Sequence, residues 1–490
     1  MTVVERAPTI EVDLLITGGL VVTMAPGRPI FEGGAVAISR GRIAMVGPAV
    51  DVGGSVRPRR IVEARRKIVL PGLIDAHAHA GHSLTKAIGA HLPTAEWARL
   101  LDHVYFHATT PEYWYADGLL SGLERLRFGT TTAVMMLGSQ PRTDVVDYGE
   151  AFSRGTSRSG ARTVISVGPA APPWPKVFTH WRDGRPQDAH VTYEQCLAVT
   201  EELIERWKAE AQRRIGVMVG PPRFSIPSRH NLFFEPEHLQ YAKREAEDIR
   251  HLADKHKIWI HTHAYGETVE YLHGHLPDVL GPDVLLVHCT GISKLEQEIL
   301  ARLDVKVAHC PTARRPYLGP RCPVPELMDA GVTVAVATDA SAPDRSFDLF
   351  ETMRAAQRLQ RVHFSDPNYL PAEKMLETVT VDAARAIGME TELGTLEVGK
   401  RADVILVDRF RPHTTPSLVP LWQLVHWSSG GDVTDVFVDG EQVVANGRST
   451  SVDEDEVLRT AEEEARKMIS RAGIASIIEG QEGFWGRSRI

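Results

Sequence analysis

The sequence predicts an α/β fold: a (β/α)8 TIM barrel carrying a small, discontinuous β-sandwich domain drawn from both chain ends. Three observations point to it. Apolar strand candidates alternate with helical stretches between residues 68 and 394. Short β-rich runs occupy the two flanks, 11–67 and 395–450. The residues suited to metal or acid–base chemistry fall at the C-terminal ends of candidate strands, where barrels of this class carry their sites.

The flank opens, after a loose lead-in, with the runs Asp13–Thr17, Leu20–Met24, Gly34–Ile38 and Arg42–Val46. Gly18-Gly19, Pro26-Gly27 and Arg40-Gly41 punctuate them as turns. These runs are too short to make a stable sandwich alone. The runs Ala402–Val407 and Val433–Val438, with a turn at Asp439-Gly440, supply the expected partners. Within the barrel segment the strands are the opening run from Val69 to His79, then 131–136, 163–167, 215–219, 258–263, 284–288, 305–309 and 332–338. Helices are expected over 111–128, 193–213, 236–255, 294–303 and 348–359. The remainder, 451–490, reads as a C-terminal helix and tail. Ser451 is the expected cap, acids crowd the first turns, Arg466, Lys467 and Arg471 come late, and Gly473 ends the helix. The tail through Phe484 and Trp485 is expected to dock on a partner.

Composition narrows the function. A net charge of −8 argues against a nucleic-acid partner. No basic-then-apolar leader and no apolar run of membrane-spanning length is present, so a cytoplasmic protein with no membrane partner is expected. Cys196, Cys289, Cys310 and Cys322 form no C-x-x-C pair, which argues against both a disulfide framework and a cysteine-held zinc.

The chemistry begins at Asp75-Ala76-His77-Ala78-His79. Residues two apart on a strand point to one side, so two imidazoles leave one strand end together. Further strand ends carry His261-Thr262-His263, His288-Cys289, His309-Cys310 and Thr338-Asp339. A hydrolytic metal site needs neutral imidazoles, usually a carboxylate, and one open position. His77, His79, His263 and Asp339 supply that set, with His261 an alternative to His263 that spacing alone does not separate. Asp339 leaves a strand of small apolar residues, where an isolated carboxylate is costly unless it meets a cation. His309 is expected to be structural. His82 and His91 are expected to face solvent, and Pro172 to Trp181 to form a lid or an ordered surface loop.

From Asp13 to Gly447 the chain resembles the amidohydrolase superfamily. The branch is that of cytosine and guanine deaminases, S-adenosylhomocysteine deaminase, and triazine and phenylurea hydrolases. The resemblance rests on Pro71-Gly72-Leu73-Ile74-Asp75-x-His77-x-His79, Leu92 to Trp97, Phe128 to Thr132, His309-Cys310-Pro311, Pro325 to Thr338 and Gly394 to Asp403. It favours His263 over His261. It implies one divalent metal ion on His77, His79, His263 and Asp339, zinc first, with iron, cobalt or manganese also compatible. In catalysis Asp339 would take a proton from a metal-bound hydroxide's parent water, His288 would touch that water or the substrate oxygen, and Glu267 would carry protons to the leaving nitrogen. The bridging lysine of two-metal branches is missing from Ile215 to Pro222, so a mononuclear site is expected. The resemblance also implies a small-molecule substrate and a homo-oligomeric assembly.

Three departures shape the specificity expected. Glu267 stands four residues after His263 rather than three, with Gly266 between. Ala313-Arg314-Arg315 replaces a Ser-Asn pair, and Ala340 replaces the glycine after Asp339. These favour cleavage of a C–N bond in a small amide- or urea-like substrate, in the manner of phenylurea hydrolases, over the alternative of an aminoheterocycle deaminase releasing ammonia. A non-catalytic scaffold of this fold would have lost metal ligands that this chain retains.

Overall fold

The computed structural model describes residues 9–138, 140–209, 214–228, 234–313 and 320–478. Arg314, Arg315, Phe484 and Trp485 lie outside the described residues. The first flank forms β1 (Ile10–Val22), β2 (Ile30–Ser39), β3 (Arg42–Pro48), β4 (Val56–Glu63) and β5 (Lys67–Pro71). The barrel follows as β6 (Leu73–His79), β7 (Thr130–Met136) and β8 (Arg162–Val167). A hairpin, β9 (Lys176–Arg182) and β10 (Arg185–Val191), then leaves it. The barrel resumes with β11 (Ile215–Val219), β12 (Ile260–Tyr265), β13 (Val284–Thr290), β14 (Lys306–His309) and β15 (Val334–Val336). The second flank gives β16 (Val404–Asp408), β17 (Val433–Val438), β18 (Glu441–Ala445) and β19 (Arg448–Ser449).

The eight barrel strands pair in parallel in chain order from β6 to β15. The seam between first and last is closed by a bridge from Ala78 to Asp339 and by the Asp339 N–H donating to the His77 carbonyl at 3.0 Å. Strands covered on both faces read as continuous apolar runs, which is why these eight are plain in the sequence. The flanking strands join into one nine-stranded sheet in which β5 links the two ends, pairing with β1 on one side and β16 on the other. Leu14, Ile16, Val36 and Ile38 from the first flank share a core with Val404, Leu406 and Phe437 from the second.

Some elements differ from expectation. The run through Gly18-Gly19 is one strand, interrupted by register shifts rather than broken by a turn. The segment from Pro172 to Trp181 ends in the β9–β10 hairpin, anchored where Trp181 Nε1–H donates to the His107 carbonyl at 2.7 Å. The last long helix starts at Glu454, and its cap is Asp453, whose carboxylate accepts the Glu456 N–H at 3.1 Å; Ser451 lies outside it. No described helix is long and apolar enough to cross a membrane.

Candidate metal centre

His77 and His79 end β6, His263 sits near the end of β12, and Asp339 follows β15 across the seam. All four are buried, and their ligand atoms lie within 4.8 Å of one another. His79 Nδ1 is 3.1 Å from the Gly138 carbonyl, and His263 Nδ1 contacts the Pro222 carbonyl. Each Nδ1–H is therefore a donor, and each Nε2 carries a free lone pair. His77 Nδ1 is 2.9 Å from His261 Nε2, which leaves His77 Nε2 aimed at the same point.

The spacings there are informative. His77 Nε2 and His79 Nε2 are 3.2 Å apart, and Asp339 Oδ1 is 3.4 Å and 3.2 Å from them. Two lone pairs and a carboxylate oxygen facing each other repel unless a cation lies between them. Metal–ligand bonds of about 2.0–2.2 Å in a tetrahedron set donors about 3.3 Å apart. The residues therefore fit a single divalent ion. Burial lowers the pKa of His77, and lowers that of His263 and His261 well below the usual histidine value, so the rings are neutral, as metal ligands must be. Burial alone would raise the Asp339 carboxyl; Arg345, His77 and His79 outweigh it and hold it well below the ordinary range.

The two histidines of β12 have different surroundings. His261 lies behind His77 as its hydrogen-bond partner, and His263 faces the cluster. The strand-end backbones are strained where they present these side chains. His288, Cys289 and Asp339 have φ of 71°, 45° and 64°, the left-handed region that non-glycine residues seldom adopt. His288 stacks between His263, at 5.0 Å between ring centres, and Tyr265, at 5.5 Å.

A cleft opens over the cluster, lined by His79, His263, His288 and Asp339 together with Trp97, Asp102, Gln140, Arg223, Tyr265 and Arg345. Glu267 is not among the described residues that line it. It is half-buried at the head of the helix Thr268–His275, with φ of 75°. The extra residue in the β12–β13 ladder falls on β13, between His288 and Thr290, so no bulge in β12 restores Glu267 to the expected position. His82 is fully buried in the cleft wall against His79, Trp97 and Tyr105 rather than facing solvent; His91 is exposed. His309 is buried at the end of β14, its pKa pushed down to about 3 by burial and by Arg321.

Several further residues support the cluster and the cleft. Asp75, two residues before His77, accepts the Thr338 N–H at 3.0 Å and pairs with Arg125, so it ties β6 to the residue preceding Asp339. Asp117 accepts the Gly81 and Ser83 N–H groups at 2.6 and 2.8 Å and fixes the turn after His79. Thr94, Ala98 and Asp102 line the cleft at i, i+4, i+8 on the helix Thr94–His107. No hydrogen bond or close ion pair reaches the Asp102 carboxyl from a described residue, and burial pushes its pKa up to about 6 against the pull of Arg223 and Lys176.

The amidohydrolase family model matches residues 68–443. A 5-methylthioadenosine/S-adenosylhomocysteine deaminase of Syntrophobacter fumaroxidans is 32% identical over 460 residues, covering 91% of this chain and 96% of the relative. A 5'-deoxyadenosine deaminase of Methanosarcina acetivorans is 30% identical over 472 residues, covering 94% and 99%. Among solved structures, an adenosine deaminase from Xanthomonas campestris with bound zinc superposes with a TM-score of 0.80 at 24% identity, covering 94% of this chain and all of the other. An atrazine chlorohydrolase from Arthrobacter aurescens complexed with zinc gives 0.71 at 21%, covering 92% and 100%. The chain belongs to the amidohydrolase family, metal-dependent hydrolases of carbon–nitrogen bonds other than peptide bonds.

Proposed function

We propose that this protein is a hydrolytic deaminase that releases ammonia from a ring amine of the adenosine type. One observation carries the reading: relatives that match about nine-tenths of the chain at about 30% identity are deaminases of adenosine-type nucleosides. The relatives support the deaminase alternative better than the amide- or urea-hydrolase expectation. Cleavage of an amide or urea stays as the second reading because Gly266 occupies the position three after His263 and Glu267 stands outside the cleft lining.

In this reading His77, His79, His263 and Asp339 hold one divalent ion, zinc by preference. When bound, the ion supplies Lewis acidity and lowers the pKa of water. His288 lies beside the cluster and steadies the oxygen of the attacked carbon. Trp97 and Tyr265 offer flat apolar faces to a ring. A proton must reach the departing nitrogen. For that step we assign Asp102, which lines the cleft with a carboxyl whose pKa is raised to about 6, in place of Glu267. The same reading takes the protein as a cytoplasmic homo-oligomer. The exposed Leu418, Val419, Trp422 and Trp427, close together in one stretch, favour self-association, which light scattering tests.

Mass spectrometry of products from zinc-loaded protein tests the reading, with 5'-deoxyadenosine, adenosine, guanine, an N-aryl urea and an anilide as substrates. Ammonia from a purine amine is expected, while an aryl amine released from the urea or anilide with no ammonia from any purine would overturn the reading. His77→Ala and Asp339→Ala are expected to abolish turnover in chains that still fold. Asp102→Asn should lose about 100-fold or more in kcat, the scale of general acid–base catalysis, and Glu267→Gln less than about threefold. The reverse order would return the step to Glu267.

A further inference from the structure

We infer that Arg345 is a positioning residue that confines Asp339 to a single ligand oxygen and so keeps one coordination position of the metal group open. The inference rests on the proposed metal site at His77, His79, His263 and Asp339.

The two oxygens of Asp339 are divided between different partners. Oδ1 faces the imidazoles, 3.4 Å from His77 Nε2 and 3.2 Å from His79 Nε2. Oδ2 faces the other way and accepts from Arg345 Nη1–H at 2.8 Å. The guanidinium is itself held, because Nη2–H donates to the Ala342 carbonyl at 2.6 Å. The loop beneath it is pinned at two points. The Arg345 N–H donates to the Ser341 carbonyl at 2.9 Å, and the Pro343 carbonyl accepts the Ala87 N–H at 2.7 Å. Both side chains are more than nine-tenths buried, at 7% and 9% exposure, so water does not compete for the pair.

A carboxylate gives a metal one oxygen or two. Three imidazoles and one oxygen make four ligand atoms among which a water or substrate can still find a place; a second carboxylate oxygen takes that place. The planar guanidinium fork, fixed on one side by Ala342, occupies Oδ2 in a set direction, which a point-charge ammonium on a flexible stem does not do. The pair also offsets the burial of two charges that would each be costly alone. Outer partners of this kind change metal affinity or activity by about 10- to 100-fold when removed. Without Arg345, Oδ2 is free to turn onto the metal and close the site.

The test uses the full chain loaded with cobalt(II), whose visible absorption is stronger at low coordination number. Wild type, Arg345→Met and Arg345→Gln are compared for cobalt content, for the spectrum and for kcat and KM. All three are expected to hold one cobalt per chain. Both variants should show a weaker visible band, and kcat lower by about 10- to 100-fold, with KM within about threefold of wild type. A visible band identical to wild type in either variant that folds overturns the inference, whatever its kcat. A wild-type chain that takes up no cobalt overturns the metal site itself, and the inference with it, and is recognised before any variant is made.

Discussion

At the scale of single residues, buried carboxyls make the sharpest predictions. Glu245, on the helix Leu239–His256, is 1% exposed and accepts the Ser225 N–H at 2.8 Å. Burial pushes its pKa up to about 7, against Ser225 and Arg223. Between about pH 4.5 and pH 7 the folded chain keeps this proton and the unfolded chain has released it. Stability therefore falls as pH rises across that window, by about 3 kcal/mol in total. Glu245→Gln keeps an acceptor for Ser225 and loses the penalty. Its melting temperature relative to wild type should climb from pH 4.5 to pH 7 and then level off, by about 3 °C for a chain this long. A difference that stays flat across that range would mean that Glu245 is already ionised in the fold. The legibility of residues divides along the same line. His77, His79, His263, His288 and Asp339 could be singled out because each stands at or just past the end of a strand whose apolar run announces it. Asp102, Arg223 and Arg345 come from a helix and from loops, where nothing in local periodicity tells a cleft-facing residue from a solvated one. His82 was misread for that reason.

At the scale of elements, the cluster depends on how closely β12 approaches its neighbour. Gly220, directly after β11, lies where an added Cβ would stand 2.2 Å from the His261 carbonyl oxygen. Only a residue without a side chain lets the two strand ends come together there. Gly220→Ala must push β12 outward, carrying His261 and His263 with it. The expected cost is about 1–3 kcal/mol, as for other overpacked sites, together with weaker metal retention against a chelator. Stability and metal retention both equal to wild type would show that β12 does not set the cluster. The sequence announced the eight barrel strands because both faces of each are covered. It concealed β4 and β10, whose residues are largely exposed and polar, since such strands carry neither alternation nor an apolar run. The helix Ala49–Ser55, with two glycines and one buried residue, was unreadable for want of any periodic signal.

At the scale of the whole molecule, the candidate metal group sits on a weak join of the barrel. Six neighbouring pairs of barrel strands share ladders of several residues, whereas β11 and β12 pair only at Val219–Ile260, and β15 and β6 meet through the Ala78–Asp339 bridge and the Asp339 N–H to His77 carbonyl bond. Asp75 reinforces the same seam from below by accepting from Thr338. An ion held by His77 and His79 on one side and Asp339 on the other links first strand to last, and His263 ties in the middle of the sheet. Binding that favours the folded chain stabilises it by RT ln(1 + [L]/Kd), about 4 kcal/mol at a thousandfold excess of metal over Kd. The unfolding entropy of 490 residues is about 1 kcal/mol per kelvin, so removing the metal should lower the melting temperature by about 4 °C. Restoring one equivalent of zinc per chain should reverse the loss. The loss should be absent from Asp339→Asn, which keeps the bridge's backbone bonds but gives up the charged ligand. If the chelated wild type melts at the same temperature as the loaded protein, the ion does not bridge the seam, and the bridge from Ala78 to Asp339 closes the barrel unaided.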